Sequence, residues 1–324
     1  MNILIFNNCK IPVYAYGGTE RVIWDLGRGL TEAGHRVSFL VKKGSHCDFA
    51  PVYFYDKKKP IEMQIPHGTD IVHFQSNPGK NFEFPYLVTE HSNHDLKHPM
   101  SLNTVFLTRD HANRHGSEEY VYNGLDWRQY GSVDFNKKRK YYHFLGKAAR
   151  QDKNVKGATD VALTANIKLS VLGGYRLNVS RHWRFTWSRS VKFHGMVGGN
   201  RKLDLLNGSL GLIFPVTWHE PFGLAITESL YFGCPVFGTP YGSLPELVPD
   251  QCGYLSNKAS ELASAISEKK FDARECHDFA FKNFGLDQMV RGYLEKYERV
   301  IDGEKLNSIP PALKGERNNL PWHV

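Results

Sequence analysis

The chain has 324 residues, with 41 Lys plus Arg against 33 Asp plus Glu, a formal net charge of +8 and a sequence pI near 9.1. That length predicts two domains, each large enough to bury a core without disulfides or a structural metal. Charged residues at 23% and hydrophobic ones at 41% exclude disorder, collagen and coiled coil as global descriptions, and no stretch approaches the roughly 18 uninterrupted apolar residues of a spanning helix.

The opening MNILIFNN lacks the basic leader and apolar core of a signal peptide and reads as a strand. Cys9, Cys47, Cys234, Cys252 and Cys276 show no CxxC pairing, so a reducing cytoplasm is the expected compartment. After the Ile3–Phe6 strand and the pair Gly17-Gly18, apolar Val22, Ile23, Leu26 and Leu30 recur at helical spacing, with Gly34 placed to end the helix. Strands are then expected at 36–41, 70–74, 86–89, 104–107 and 119–122, with a short helix at 109–115. This alternation is that of one doubly wound α/β half.

A run Lys137-Lys138-Arg139-Lys140 precedes a fresh β-like stretch, and the domain linker is placed there. Strands follow at 141–145, 168–172, 191–194, 210–214 and 235–237, with helices at 200–206, 222–232, 260–267, 273–283 and 286–301. The last helix carries Met289, Val290, Tyr293, Leu294, Tyr297, Val300 and Ile301 on one stripe. The expected division is an N-terminal Rossmann-like domain over 1–138, a C-terminal Rossmann-like domain over 139–301, and a tail over 302–324 that is extended and packs back on the N-terminal domain. Two such open sheets would face each other across a cleft.

Charge is concentrated. Between Lys137 and Gly157 eight Lys or Arg stand against Asp152 alone, and Arg181, Arg184, Arg189, Lys192, Arg201 and Lys202 form a second run with no acid. The bland reading is a solvated basic face; the sharper ones are a site for a phosphorylated ligand or a surface for anionic lipid. No nucleic-acid-binding module is recognisable, so nucleic acid is not an expected partner.

The chemistry concentrates in Trp218-His219-Glu220-Pro221-Phe222-Gly223-Leu224-Ala225-Ile226-Thr227-Glu228. A helix opening near Pro221, just beyond a strand, lies where open α/β sheets place ligands, and the N–H groups of Phe222, Gly223 and Leu224 would suit anionic or hydroxyl-rich groups. Glu220 alone could equally cap that helix, Glu228 could be an ordinary surface residue, and Gly17-Gly18 could be a tight strand-to-helix turn. Gly173-Gly174 completes no dinucleotide fingerprint, and no His, Cys or acidic spacing indicates a metal.

The Glu-x7-Glu spacing around Pro-Phe-Gly-Leu resembles the donor-site motif of retaining glycosyltransferases of family four, which have the GT-B fold. Tyr16-Gly17-Gly18-Thr19-Glu20-Arg21 is similar to that family's glycine loop, Tyr122-Asn123-Gly124-Leu125-Asp126 to its segment entering the linker, Gly146-Lys147 through Lys153-Asn154 to its phosphate-binding region, and Phe193-His194-Gly195-Met196 to the turn lining its base pocket. The resemblance implies that Glu220 holds hydroxyls of the transferred sugar, Glu228 the ribose hydroxyls, and Lys147 and Lys153 the diphosphate. Gly17, Gly18 and the amides of Phe222 to Leu224 would contact phosphate and sugar oxygens, Gly195 and Met196 the base, and His91 the sugar near the reacting centre. Lys147 stands where the family usually has Arg and lacks the planar fork, and Arg150 could substitute for it.

What this implies is a cytoplasmic retaining enzyme with no cofactor or metal, taking a nucleotide diphosphate sugar of UDP, GDP or ADP type. Its acceptor would be a sugar or lipid-linked hydroxyl in polysaccharide, lipopolysaccharide or glycoconjugate synthesis, with peripheral contact at an anionic inner membrane face. The competing readings are a nucleotide-sugar epimerase or phosphorylase on the same scaffold, and a non-catalytic nucleotide-sugar-binding protein.

Overall fold

The computed structural model describes residues 1–13, 17–93, 99–179, 183–315 and 320–324; Tyr16 and Arg181 lie outside them. The chain divides into two compact units, Met1–Trp127 with Phe284–Gly315, and Arg128–Asn283 with Glu316–Val324.

The first unit runs β1 (Asn2–Asn7), α1 (Gly18–Glu32), β2 (Arg36–Val41), β3 (Val52–Phe54), β4 (Ile71–Phe74), β5 (Tyr86–Thr89), β6 (Thr104–Val105) and α2 (Arg109–Arg114). The second contains β7 (Tyr141–Leu145), α3 (Val155–Thr164), β8 (Leu169–Leu172), β9 (Leu177–Asn178), β10 (Arg184–Phe185), β11 (Val191–Phe193), α4 (Gly199–Asn207), β12 (Ser209–Phe214), α5 (Leu224–Tyr231), β13 (Val236–Gly238), α6 (Leu244–Leu247), β14 (Gly253–Leu255), α7 (Ala259–Glu268) and α8 (Ala273–Asn283). The chain then returns to the first unit as α9 (Leu286–Ile301).

Each unit holds one six-stranded parallel sheet. The orders are β3-β2-β1-β4-β5-β6 and β11-β8-β7-β12-β13-β14. Leaving aside the small β9–β10 hairpin, these are the same winding. In each, the order reverses between the first and fourth strands, β1 beside β4 and β7 beside β12, which is the switch point where open α/β sheets place ligands. The central strands are near-continuous apolar runs because helices cover both faces: Leu4, Ile5, Val72, Phe74, Phe144, Val171, Ile213 and Phe214 are all buried.

In the first unit the α1 stripe Val22, Ile23, Leu26 and Leu30 is buried, as its spacing predicts. Two glycines let it sit close. A Cβ on Gly27 would lie 2.4 Å from the Phe39 ring, and one on Gly29 2.6 Å from Val290 of α9.

The stripe of α9 is therefore spent on the first unit, and the domain division predicted from the sequence is replaced by one in which this helix leaves the C-terminal half. Tyr293 and Tyr297 hydrogen-bond into the same sheet: the Tyr297 hydroxyl lies 2.7 Å from His73 Nδ1, and the Tyr293 hydroxyl 2.9 Å from Thr89 Oγ1. Burying each such side chain contributes about 1.5–3 kcal/mol. The tail is also divided. Asn307 bonds the carbonyls of Leu102 and Thr104 in the first unit, whereas Leu320 and His323 bond Thr217 and Asn257 in the second. The first crossing comes at Trp127/Arg128 rather than at the basic run. Arg139, within that run, is instead structural: its guanidinium donates to the carbonyls of Ser209, Phe232 and Gly233, meeting the exposed carbonyls at the end of α5.

Candidate functional site

The second sheet's switch point gathers most of the predicted residues. The loop after β7 holds Gly146, Lys147 and Arg150, then turns through Gln151–Lys153 into Asn154, whose left-handed backbone (φ 51°) and side chain cap α3. The loop after β12 holds Trp218 and Glu220. The two loops are tied by the Thr217 N–H to the Asp152 carbonyl at 2.9 Å and by Asn154 Nδ2 to the Pro215 carbonyl at 2.9 Å.

Lys153 and Glu220 meet across this junction. Lys153 Nζ is paired with Glu220 Oε2, which also accepts from Trp218 Nε1 at 3.0 Å. Lys153 Nζ sits 4.8 Å from the Trp218 ring centre and 5.4 Å from that of Phe214, a position that favours a cation. Glu220 is buried. Its backbone is clamped by Ser243, whose N–H donates to the Glu220 carbonyl at 2.9 Å. Gly242, at φ +60°, passes so near that a Cβ there would be 2.3 Å from Glu220 N.

Helix α5 begins at Leu224, two residues later than the sequence predicts, because Gly223 takes a left-handed conformation (φ 88°) as N-cap. The N-cap Gly223 has no side chain to offer, and the Glu220 carboxylate is taken up by Lys153 and Trp218. Phe222 precedes the helix and is buried, its carbonyl accepting from Ser243 Oγ at 2.6 Å; Gly223 and Leu224 form the helix start itself.

Glu228 lies a turn further along α5. It is buried, with Oε1 accepting from the Tyr130 hydroxyl at 2.6 Å and paired with Lys202 Nζ at 2.5 Å. It is thus no ordinary surface residue. Neither Lys202 nor Tyr130 was assigned to the site from the sequence. A signal existed for Lys202: in α4 it occupies, with Leu206, the spacing of the buried face, where a lysine is exceptional unless paired.

Arg150 lies in the same loop as Lys147. Its guanidinium is held by Asp152 and stacks 4.6 Å from the Trp218 ring centre. Lys147 is exposed and makes no ion pair among the described residues. Gly195 (φ +71°) pairs with Gly174 across an isolated bridge, and Gly173 donates to its carbonyl at 2.8 Å; Met196 beside it is 41% exposed. The turns after β7, β8 and β11 therefore form one edge of carboxyl-end loops.

Gly17, Gly18 and His91 belong to the first unit, again at carboxyl ends of strands. Gly17 is the N-cap of α1 and Gly18 its first residue. His91 Nε2 lies 2.9 Å from Gln75 Oε1. Desolvation lowers His91 to about 4, against a smaller opposing pull from Glu90, so its imidazole is neutral at pH 7. Among the described residues no group of three or more His, Cys, Asp or Glu could hold a metal ion, and no helix is long and apolar enough to cross a membrane.

Comparison with known proteins agrees with this geometry. Residues 127–280, almost the whole second unit, match the family Glycosyl transferases group 1. No curated protein matches the chain in sequence. Among solved structures the chain is similar to AviGT4, a glycosyltransferase involved in avilamycin A biosynthesis (TM-score 0.74, 21% identity, 94% of this chain and 99% of that one). It is also similar to sucrose-phosphate synthase from Thermosynechococcus elongatus (0.70, 16%, 94% and 100%) and to Anabaena HepE in complex with UDP and glucose (0.65, 14%, 92% and 99%). The fold is thus the GT-B type, two Rossmann-like α/β units, as expected from the sequence, and the match to Glycosyl transferases group 1 falls, but for Trp127, within the second of them.

Proposed function

We propose that the protein is a retaining glycosyltransferase that moves a sugar from a nucleotide diphosphate sugar to an acceptor hydroxyl. The observation that carries this reading is the pairing of Lys153 with Glu220 at the second sheet's switch point, within the segment that matches glycosyl transferases group 1. A lysine beside a carboxylate is a matched pair for a ligand with a diphosphate at one end and sugar hydroxyls at the other. Glu220 would take the sugar hydroxyls, Glu228 the ribose, and Lys153 with exposed Lys147 the diphosphate; the start of α5 at Gly223 and Leu224 would supply amides. Gly195 and Met196 would border the base.

The chemistry required is loss of the C1–O bond to the diphosphate as the acceptor oxygen bonds to C1 on the same face. The acceptor proton passes to the departing phosphate oxygen, and the products are a glycoside with the donor's anomeric configuration and a nucleoside diphosphate. Positive potential fixed before the reaction stabilises the developing charge on that phosphate. His91, neutral at pH 7, is suited to hydrogen-bond a sugar hydroxyl rather than to act as a cation. Polysaccharide, lipopolysaccharide and glycoconjugate assembly are the classes of synthesis that consume such a donor for a sugar or lipid-linked acceptor, with catalysis in the cytoplasm.

The test is donor turnover, followed by release of nucleoside diphosphate from UDP, GDP and ADP sugars, with product configuration read by NMR. Lys153→Met should lower kcat by at least roughly 100-fold, the scale of a lost charge-stabilising donor. Unchanged turnover in that variant refutes the assignment. Rearranged donor formed without any acceptor would favour the epimerase or phosphorylase reading instead.

A further inference from the structure

Between β8 and β11, at the edge of the second sheet, the chain makes an excursion that the donor site does not use: its described residues are 174–179 and 183–190, containing the paired strands β9 and β10. Its side chains are distributed against the ordinary rule. Tyr175 is 66% exposed, Leu177 50%, Val179 73%, Trp183 76% and Trp187 83%. Large apolar residues exposed singly need no explanation, but a contiguous set on one small element marks a binding surface.

The hairpin is not loosely attached. Arg176 donates to the carbonyls of Thr186, Ser188 (2.9 Å) and Val191 (2.6 Å), and Arg184 to the Tyr175 carbonyl (3.0 Å) and Thr186 Oγ1 (2.8 Å). Both guanidinium groups lie near the Phe193 ring, at 5.8 and 5.2 Å. These two arginines anchor the base and leave the indoles outside.

Two further cations, Arg189 and Lys192, are exposed beside it, as is Arg201 nearby in the chain. Lys192 and Arg201 act together on one group: after burial, they are what lowers the His194 imidazole. No Asp or Glu occurs anywhere from residue 161 to residue 203, so nothing in the sequence of this stretch offsets that charge.

We infer that this hairpin docks the protein on membranes with anionic headgroups, placing Trp183, Trp187, Leu177 and Val179 at the boundary between headgroups and acyl chains, with Arg189 and Lys192 on headgroup charge. Indoles favour that boundary because one edge is apolar and the other carries a donor, and anionic leaflets attract cations held near them. The aliphatic members decide between occupants. A single-stranded nucleic acid would use aromatic faces for stacking, and Leu177 and Val179 would contribute nothing to it, whereas both gain by leaving water for lipid. The inference is independent of the donor site, which is measured separately.

The experiment is flotation of the full chain with vesicles of phosphatidylcholine alone or mixed with phosphatidylglycerol, at rising salt, with tryptophan emission recorded in parallel. The expected result is binding to the mixed vesicles only, weakened by salt, with a blue-shifted emission. A Trp183→Ala/Trp187→Ala variant should lose at least roughly tenfold in partition, given the apolar area removed. Arg189→Gln and Lys192→Gln should each cost roughly fivefold at low salt. Melting with and without nucleotide sugar checks that the variants remain folded. Failure of the wild type to float with anionic vesicles, equal flotation of the double tryptophan variant, or retention by a single-stranded oligonucleotide in place of vesicles would overturn the inference.

Discussion

Replacing Lys202 by Met isolates what the buried charge pair beneath α5 contributes. The Lys202 and Glu228 side chains are 8% and 5% exposed, with Nζ 2.5 Å from Oε1. Removing one partner of such a pair costs about 3–5 kcal/mol, because the other charge remains buried without its counter-charge. Methionine keeps most of the apolar stem, so little is added by an empty volume. The Tyr130 hydroxyl, 2.6 Å from the same oxygen, stays in place and keeps a charge-assisted hydrogen bond on the carboxylate. The net loss should therefore fall near the lower bound, about 3 kcal/mol. At about 2–4 °C per kcal/mol for a unit of this size, the second unit's melting transition moves down by about 6–12 °C. Calorimetry on the full chain reads this directly. Adding Glu228→Gln to Lys202→Met should recover more than half the loss, since an amide carries no charge to strand. A loss below about 1 kcal/mol, or no recovery in the double variant, would refute the reasoning.

Acid sensitivity follows from two fully buried histidines. Burial pushes His73 in the first unit and His143 in the second down to about 3, in His73 with a further push from His91 and in His143 against an opposing pull from Glu228. Their unfolded values lie near 6.5, so the unfolded chain binds more protons and stability is lost as pH falls from about 6.5 toward 3. The slope is about 1.4 kcal/mol per pH unit per histidine, or about 2 kcal/mol each between pH 6.5 and 5. Urea unfolding at those two pH values checks it, and His143→Gln, which can still bond Ser209 and Ser229, should flatten the second unit's dependence. Gly242→Ala should destabilise by at least about 2 kcal/mol, through left-handed backbone strain and the clash with Glu220, and should weaken donor binding. Gly303→Ala is the control: its φ of +90° carries the strain, but nothing lies within 4 Å of a new Cβ, so about 1–2 kcal/mol without loss of donor binding is expected.

Most elements were legible because their patterns are local. The strands at 36–41, 86–89 and 141–145 and the helices at 273–283 and 286–301 sit where alternation and helical spacing put them. Helix α3 was missed because Gly157, Thr159 and Thr164 dilute its helical signal, while the left-handed Asn154 that starts it leaves no mark in a single sequence. The stripe of α9 announced a buried face, but not that the face would be buried against α1 and β5. Likewise Glu220 and Glu228 were marked by their spacing, whereas their partners Lys153, Lys202 and Tyr130 lie 67, 26 and 98 residues away in the chain. Only the packing of the second sheet brings those charges together.

The central claim is that the second unit holds a nucleotide diphosphate sugar through Glu220, Glu228 and Lys153. The most direct measurement is calorimetric titration of UDP, GDP and ADP sugars into the wild-type chain and into Glu228→Ala. Saturable binding of one base class, lost in the variant, is the predicted result. No heat with any nucleotide sugar, or equal affinity in the variant, would contradict the account.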